Sequence, residues 1–257
     1  MAHSIIQTPA QTPVKSEIVR LNESSIYYEA YGKGEPLFLL HGYTQSSKSW
    51  LPFVSYYQND FEVYLVDLKG HGKSGMFTEN LSLRSVAEDV EALIRYLNLD
   101  SINTIGFSYG GDVIMQVALM NPALIKSMII IGACGSWTAS EFPKWVEYLS
   151  YKNIENLPWM LEQQTSVEQI RSILDQIVNY NITVTETELK NIKAKTLIVV
   201  GDNEDSITSD CILSAKNNIP NSFLWIVPNT SHSAHKDKNQ DDFIRISKEF
   251  FTQNWTR

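Results

Sequence analysis

Short apolar runs separated by amphipathic stretches organise this chain. Pro36 to Leu40, Phe61 to Asp67, Ile102 to Ile105, Ser127 to Ile131, Lys195 to Gly201 and Ser222 to Val227 are rich in β-branched and large apolar residues. Apolar on both sides of the pleat, they predict strands buried on both faces. Ile18 to Leu21 and Ser25 to Ala30 predict an antiparallel pair around Asn22-Glu23-Ser24. Between strands the period becomes helical. Leu83, Val86, Ala87, Val90, Leu93, Ile94 and Leu97 share one face, with Ser82 placed as N-cap. Asp112 to Met120 predicts a helix that stops at Asn121-Pro122, and Asp242 to Gln253 a closing helix with Phe243, Ile246 and Phe250 inward. Buried strands alternating with helices imply an α/β fold, a mostly parallel sheet covered on both faces. His41, Asp67, Ser108 and the Gly201 turn all follow strand carboxyl ends, the rim where such sheets bind ligands.

The alternation breaks between Gly132 and about Asn191. This stretch is helical and aromatic, with Trp137, Phe142, Trp145, Tyr148, Tyr151 and Trp159. It reads as a helical cap, residues 136–191, inserted into a core formed by residues 17–135 and 192–257. Most of these aromatics are expected to pack the cap onto the core, and one or two to face a pocket. Residues 1–16, polar and interrupted by Pro9 and Pro13, read as a flexible arm.

Composition narrows the function. Of 257 residues, 43% are hydrophobic and 19% charged, enough apolar material for one domain with an insertion. The net charge of −8 argues against a nucleic-acid binder or a basic membrane-surface protein. No run approaches the ~20 apolar residues of a membrane span. The arm lacks the apolar core of an intact signal peptide, which predicts a cytoplasmic location unless an upstream segment has been removed. Cys134 and Cys211 stand far apart in no metal-ligand pattern and are expected as two buried thiols.

Candidate chemistry centres on Gly106-Phe107-Ser108-Tyr109-Gly110-Gly111, which follows a strand and opens a helix. The G-x-S-x-G spacing suits a strained strand-to-helix turn that lifts a serine hydroxyl above the sheet, beside free N–H groups. A serine needs a base within hydrogen-bond reach. Of five histidines, His3 lies in the arm, His41 and His71 lie in glycine turns, and His232 and His235 lie in the loop after the last strand. His232, nearer the strand end, is the expected base, and His235 a packing residue. His41 is expected to be a structural hydrogen-bonder. A third group must orient the imidazole. The loop after Gly201 offers Asp202, Glu204 and Asp205, and spacing alone does not choose among them. The oxyanion donors expected are the N–H groups of Tyr109, next to the serine, and Tyr43, after Gly42. No phosphate loop, dinucleotide fingerprint or metal cluster appears, so no cofactor or metal is expected.

These marks together resemble the α/β-hydrolase fold superfamily, of the single-domain serine esterase type. The resemblance is carried by His41-Gly42 with Trp50 downstream, Asp67-Leu68-Lys69-Gly70-His71-Gly72-Lys73-Ser74, the turn at Ser108, Lys195 to Asp202, and Ser231-His232. It runs from about Glu17 to Phe251 in the order nucleophile, acid, histidine. It implies a central eight-stranded, mostly parallel sheet with a cap after the sixth strand. The family usually has aspartate three residues after the glycine of the acid loop; Glu204 holds that place here, and Ile207-Thr208 supports this register. Asp205 would need a shift of one residue, and Asp202 sits early. Members that open epoxides or dehalogenate alkanes carry aspartate at the turn, which Ser108 argues against.

The resulting expectation is hydrolysis of small to medium carboxylic esters or lactones through Ser108, His232 and Glu204, by a monomer or homodimer with a small-molecule ester as its partner. C–C bond hydrolysis and cofactor-free haloperoxidase chemistry use the same triad. A ligand-sensing module with a retained triad is the alternative from another class. An imidazole base must be unprotonated, so activity should fall below about pH 6 to 7.

Overall fold

The computed structural model describes residues 12–21, 23–253 and 255–256. Most of the expected arm, residues 1–16, including His3, lies outside these.

The core opens with β1 (Lys15–Leu21), β2 (Ser24–Gly32) and β3 (Glu35–Leu40), followed by α1 (Leu51–Tyr57), β4 (Phe61–Asp67) and α2 (Leu83–Tyr96). Next come β5 (Ile102–Phe107), α3 (Tyr109–Met120) and β6 (Ile125–Ile131). The insertion holds β7 (Ser136–Thr138), α4 (Pro143–Tyr148), α5 (Trp159–Gln163), α6 (Val167–Gln176), β8 (Asn181–Thr183) and α7 (Glu186–Leu189). The chain returns to the core with β9 (Lys195–Gly201), α8 (Ser209–Asn218), β10 (Ser222–Val227) and α9 (Gln240–Thr252).

The main sheet has eight strands in the order β1-β2-β4-β3-β5-β6-β9-β10. β2 runs antiparallel to both its neighbours, and the other pairings are parallel. Two apolar layers cover the sheet. One joins α2, α3 and much of the insertion to it; the other joins α1 and α9, with Phe243 and Phe250 fully buried. Ser82 caps α2, accepting the N–H of Ser85, as its position predicts. β3 lies between β4 and β5, so the chain leaves it first to one side and then to the other, opening a crevice at its carboxyl end.

The insertion is held over that crevice by buried amides. Gln164 accepts the N–H of Gly72 at 2.8 Å, and its amide donates to the carbonyls of Thr44 and Gln45 at 2.9 and 3.0 Å. Gln169 donates to the carbonyl of Gly72 at 2.9 Å. Buried polar groups satisfied in this way fix one docking geometry where apolar contact alone would tolerate several. β7 and β8 pair antiparallel and join the two ends of the insertion, a ribbon absent from the sequence reading.

The cysteines are not thiols. Cys134, just after β6, and Cys211, in the first turn of α8, form a disulfide with a Cα–Cα distance of 5.8 Å across 77 residues. The crossover brings the end of β6 beside the start of α8, a proximity that sequence separation hides.

Candidate active site

Ser108 sits between β5 and α3 at φ 50° and ψ −116°, a backbone region that L-residues rarely adopt. The flanking glycines permit this turn. A Cβ on Gly106 would stand 2.5 Å from the carbonyl oxygen of Gly110, and one on Gly110 would stand 2.5 Å from that of Leu40. The strand, the turn and the helix therefore meet backbone to backbone. β3 pairs with β5 so that Leu40 lies opposite Gly106, which brings the following turn, Gly42-Tyr43, beside Ser108. The N–H of Tyr109, in the first turn of α3, and the N–H of Tyr43 form no hydrogen bond among the described residues.

His232 lies in the loop after β10, and its Nδ1 stands 2.8 Å from Oε2 of Glu204. Ser206 completes the arrangement: its hydroxyl donates to Oε1 of Glu204 at 2.7 Å and lies 2.8 Å from the same Nδ1. Glu204 also accepts the N–H groups of Asp205 and Ser206 at 3.0 and 2.9 Å. Its side chain is only 3% exposed. Burial pushes its pKa up, but the hydrogen bond and charge of His232, with those of Ser206, outweigh that and hold it below the ordinary value. A carboxylate facing Nδ1 keeps the proton on that nitrogen and leaves Nε2 with its lone pair. Ser108 and His232 line one cavity. No hydrogen bond among those described joins the two side chains; such catalytic contacts commonly tighten when substrate binds.

The other carboxylates of the loop have different places. Asp202 accepts the N–H of Thr230 at 3.0 Å and ties the acid loop to the histidine loop. Asp205 is exposed. Of the three, Glu204 alone reaches His232. His235 is buried among Trp50, Phe53, Phe107 and Phe243, and burial holds it well below the ordinary pKa, so it is a neutral packing residue. His41 is fully buried, donates through Nδ1 to the carbonyl of Gly42 at 2.8 Å and accepts the N–H of Leu68 at 3.0 Å. Burial lowers its pKa to about 4, as suits a structural imidazole.

Three site residues escape the sequence reading. Ser206 is the first. Gly132 is the second, at φ 59°, where a Cβ would lie 2.7 Å from the His232 ring and 3.3 Å from Glu204. The third is Asp112, one turn into α3. It is buried, lines the cavity, and accepts the hydroxyl of Tyr180 at 2.8 Å and the N–H of Gly135 at 3.1 Å. Burial raises its pKa to about 6, partly offset by those two donors and the His232 charge.

The cavity holds about 240 Å³. Its walls include Trp137, Trp145, Tyr148, Trp159, Ile177 and Tyr180 from the insertion. The ring centroid of Trp145 lies 6.0 Å from that of His232. More aromatics face the cavity than the one or two expected. Among the described residues lining it there is no lysine or arginine.

A strained serine at a strand–helix turn, set at the carboxyl rim of this sheet, defines an α/β-hydrolase fold. Comparison with known proteins agrees. The family model described as "alpha/beta hydrolase fold" matches residues 35–153. An alpha/beta hydrolase enzyme from a Medee basin deep-sea metagenome library superposes with a TM-score of 0.77 at 20% identity, covering 94% of this chain and 99% of that one. The (E)-2-((N-methylformamido)methylene)succinate hydrolase of Acinetobacter baylyi is 30% identical over 110 residues, 43% of this chain and 42% of that protein. The pimeloyl-acyl-carrier-protein methyl ester esterase of Nitrosospira multiformis is 32% identical over 142 residues, 53% of this chain and 54% of that protein. The matched stretches thus span about half the length of these curated relatives. The chain therefore has the α/β-hydrolase fold, with the family model matching just under half of it.

Proposed function

We propose that the protein is a serine hydrolase of small to medium carboxylic esters. The observation that carries this reading is the His232–Glu204–Ser206 cluster opening onto the same cavity as Ser108. Ser108 attacks the ester carbonyl while Nε2 of His232 takes its proton. The N–H groups of Tyr43 and Tyr109 receive the oxyanion, and α3 points its positive end at the same place. Glu204 balances the imidazolium. His232 then protonates the leaving alcohol, and water, activated by the same nitrogen, releases the acid from Ser108. The insertion acts as a cap whose aromatic side chains bind an apolar acyl or alcohol group.

The lining also bears on the choice among relatives. The substrate named for the Acinetobacter protein is a succinate, and two carboxylates would enter this cavity with no cationic side chain to meet them and Asp112 to repel them. An ester without an added carboxylate meets neither obstacle. The Cys134–Cys211 disulfide further supports an oxidising compartment in preference to the cytoplasm expected from the arm. Among the described residues no helix is long and apolar enough to cross a membrane.

A fluorophosphonate probe tests the assembled site. The expected result is one covalent adduct, mapped by peptide mass spectrometry to Ser108 and absent from Ser108→Ala. Labelling of another residue, or none on folded protein, contradicts the reading.

A further inference from the structure

We propose that the cavity selects esters carrying a cationic group, a quaternary or protonated amine, held between the Asp112 carboxylate and the aromatic rings around it. The inference rests on the serine esterase reading only for where the scissile bond lies.

Asp112 is a buried carboxyl in no ion pair, and the charge that bears on it is that of His232 across the cavity. Only 5% of the residue is exposed, and no salt bridge among the described residues involves it. Its two oxygens accept the Tyr180 hydroxyl and the Gly135 N–H, both neutral donors, which orient the charge without cancelling it. A buried carboxylate with only neutral hydrogen-bond donors is costly. It lies one helical turn from Ser108 and faces the same cavity.

The rest of the lining has the chemistry of a cation site. Tyr43, Trp137, Trp145 and Tyr180 contribute aromatic rings, whose negative faces attract ammonium groups. Two of the phenols are already committed. Tyr43 donates to the carbonyl of Ile173 at 2.6 Å, and Tyr180 donates to Asp112. They therefore offer π surface in place of free donors. His232 is the basic side chain in the lining; Lys236, whose Nζ lies 5.6 Å from the Phe107 ring centroid, lies outside it. A net charge of −8 steers cations towards the molecule as a whole.

The test compares esters of equal shape and different charge. One pair is butyrylcholine and 3,3-dimethylbutyl butyrate, charged or neutral in the alcohol. The other is the 4-nitrophenyl esters of 4-(trimethylammonio)butanoic and 5,5-dimethylhexanoic acids, charged or neutral in the acyl group. In at least one pair the cationic ester should show a kcat/KM about tenfold or more above its isostere. Tetramethylammonium chloride should inhibit competitively where tert-butanol at equal concentration does not. Asp112→Asn should lower the cationic-to-neutral ratio about tenfold; a merely structural role would slow both esters and leave the ratio unchanged. Should that variant not fold, Trp145→Leu, on the half-exposed cap face, should lower the same ratio. A ratio of one or below for both pairs in the wild type overturns the proposal. If none of the four esters is hydrolysed, the esterase reading fails alone. Saturable quenching of tryptophan fluorescence by tetramethylammonium, with none by tert-butanol, then supports the cation site, and absence of quenching overturns it.

Discussion

Replacing Glu204 by glutamine removes one charge from the base and keeps the shape of the loop. In the proposed mechanism His232 becomes an imidazolium in the transition state, with its Nδ1 2.8 Å from the Glu204 carboxylate. With the charge centres about 4 Å apart and an effective dielectric of about 20, their attraction is about 4 kcal/mol. That corresponds to about a thousandfold in rate. The amide can also present its NH2 to Nδ1 and turn the imidazole to the wrong tautomer, which extends the loss towards about ten-thousandfold. Glu204→Gln should therefore lower kcat on a p-nitrophenyl ester by about 10³ to 10⁴ with little change in KM. Asp202→Asn and Asp205→Asn are the internal controls and should stay within about threefold of wild type, since neither carboxylate touches His232. The assay is steady-state release of p-nitrophenolate at pH 8, with circular dichroism to confirm folding. If Glu204→Gln keeps more than a tenth of wild-type kcat while Asp205→Asn loses activity, the assignment of the acid is wrong.

Other consequences follow from single features. Gly132→Ala puts a methyl group 2.7 Å from the His232 ring, so kcat should fall at least tenfold in a protein that still folds, and wild-type turnover would contradict the packing described. Reducing the Cys134–Cys211 bond frees a 77-residue separation in the unfolded chain, a loss of at most about 4.5 kcal/mol on chain-entropy grounds. The melting temperature should drop by up to roughly 9 to 18 °C, and an unchanged melting temperature with both thiols titrated would refute the tether. Asp112 has its folded pKa raised from 3.8 to about 6, by burial first, with Tyr180, Gly135 and the His232 charge opposing. Its stabilising contribution is thus full below about pH 4 and lost as pH rises through 6. Asp112→Asn has no such loss, so its stability relative to wild type should improve by about 2 kcal/mol between pH 4 and pH 8 in urea unfolding. An equal difference at both pH values would show that the carboxyl carries no such penalty.

The parallel core was legible because its strands are apolar on both faces. The runs 61–67, 195–201 and 222–227 coincide with β4, β9 and β10. The placing of Ser108 and His232 on one rim was legible because the turn and the strand ends restrict position, whereas spacing left Asp202, Glu204 and Asp205 open and only the family register favoured Glu204. α3 begins at Tyr109, before the expected Asp112, because close packing against β3 and β6 overrides the poor helix propensity of Gly110 and Gly111. The disulfide was hidden by its span, which leaves no local signal. β7 and β8 are too short for a period of two to register. Asp112 reads in the sequence as an acid in a helix's first turn, where such residues are ordinary; only the tertiary fold turns it into a cavity wall. Ser206 was overshadowed by three neighbouring carboxylates, although its hydroxyl links Glu204 to His232.

Hydrolysis of a chain-length series of p-nitrophenyl esters by wild type beside Ser108→Ala bears on the whole scheme at once. Wild type should turn over, with a preferred acyl length that fits a cavity of about 240 Å³, and Ser108→Ala should lose at least 10³-fold in kcat. A Ser108→Ala protein that hydrolyses these esters at the wild-type rate would contradict it, because the serine at the turn would then have no part in the chemistry.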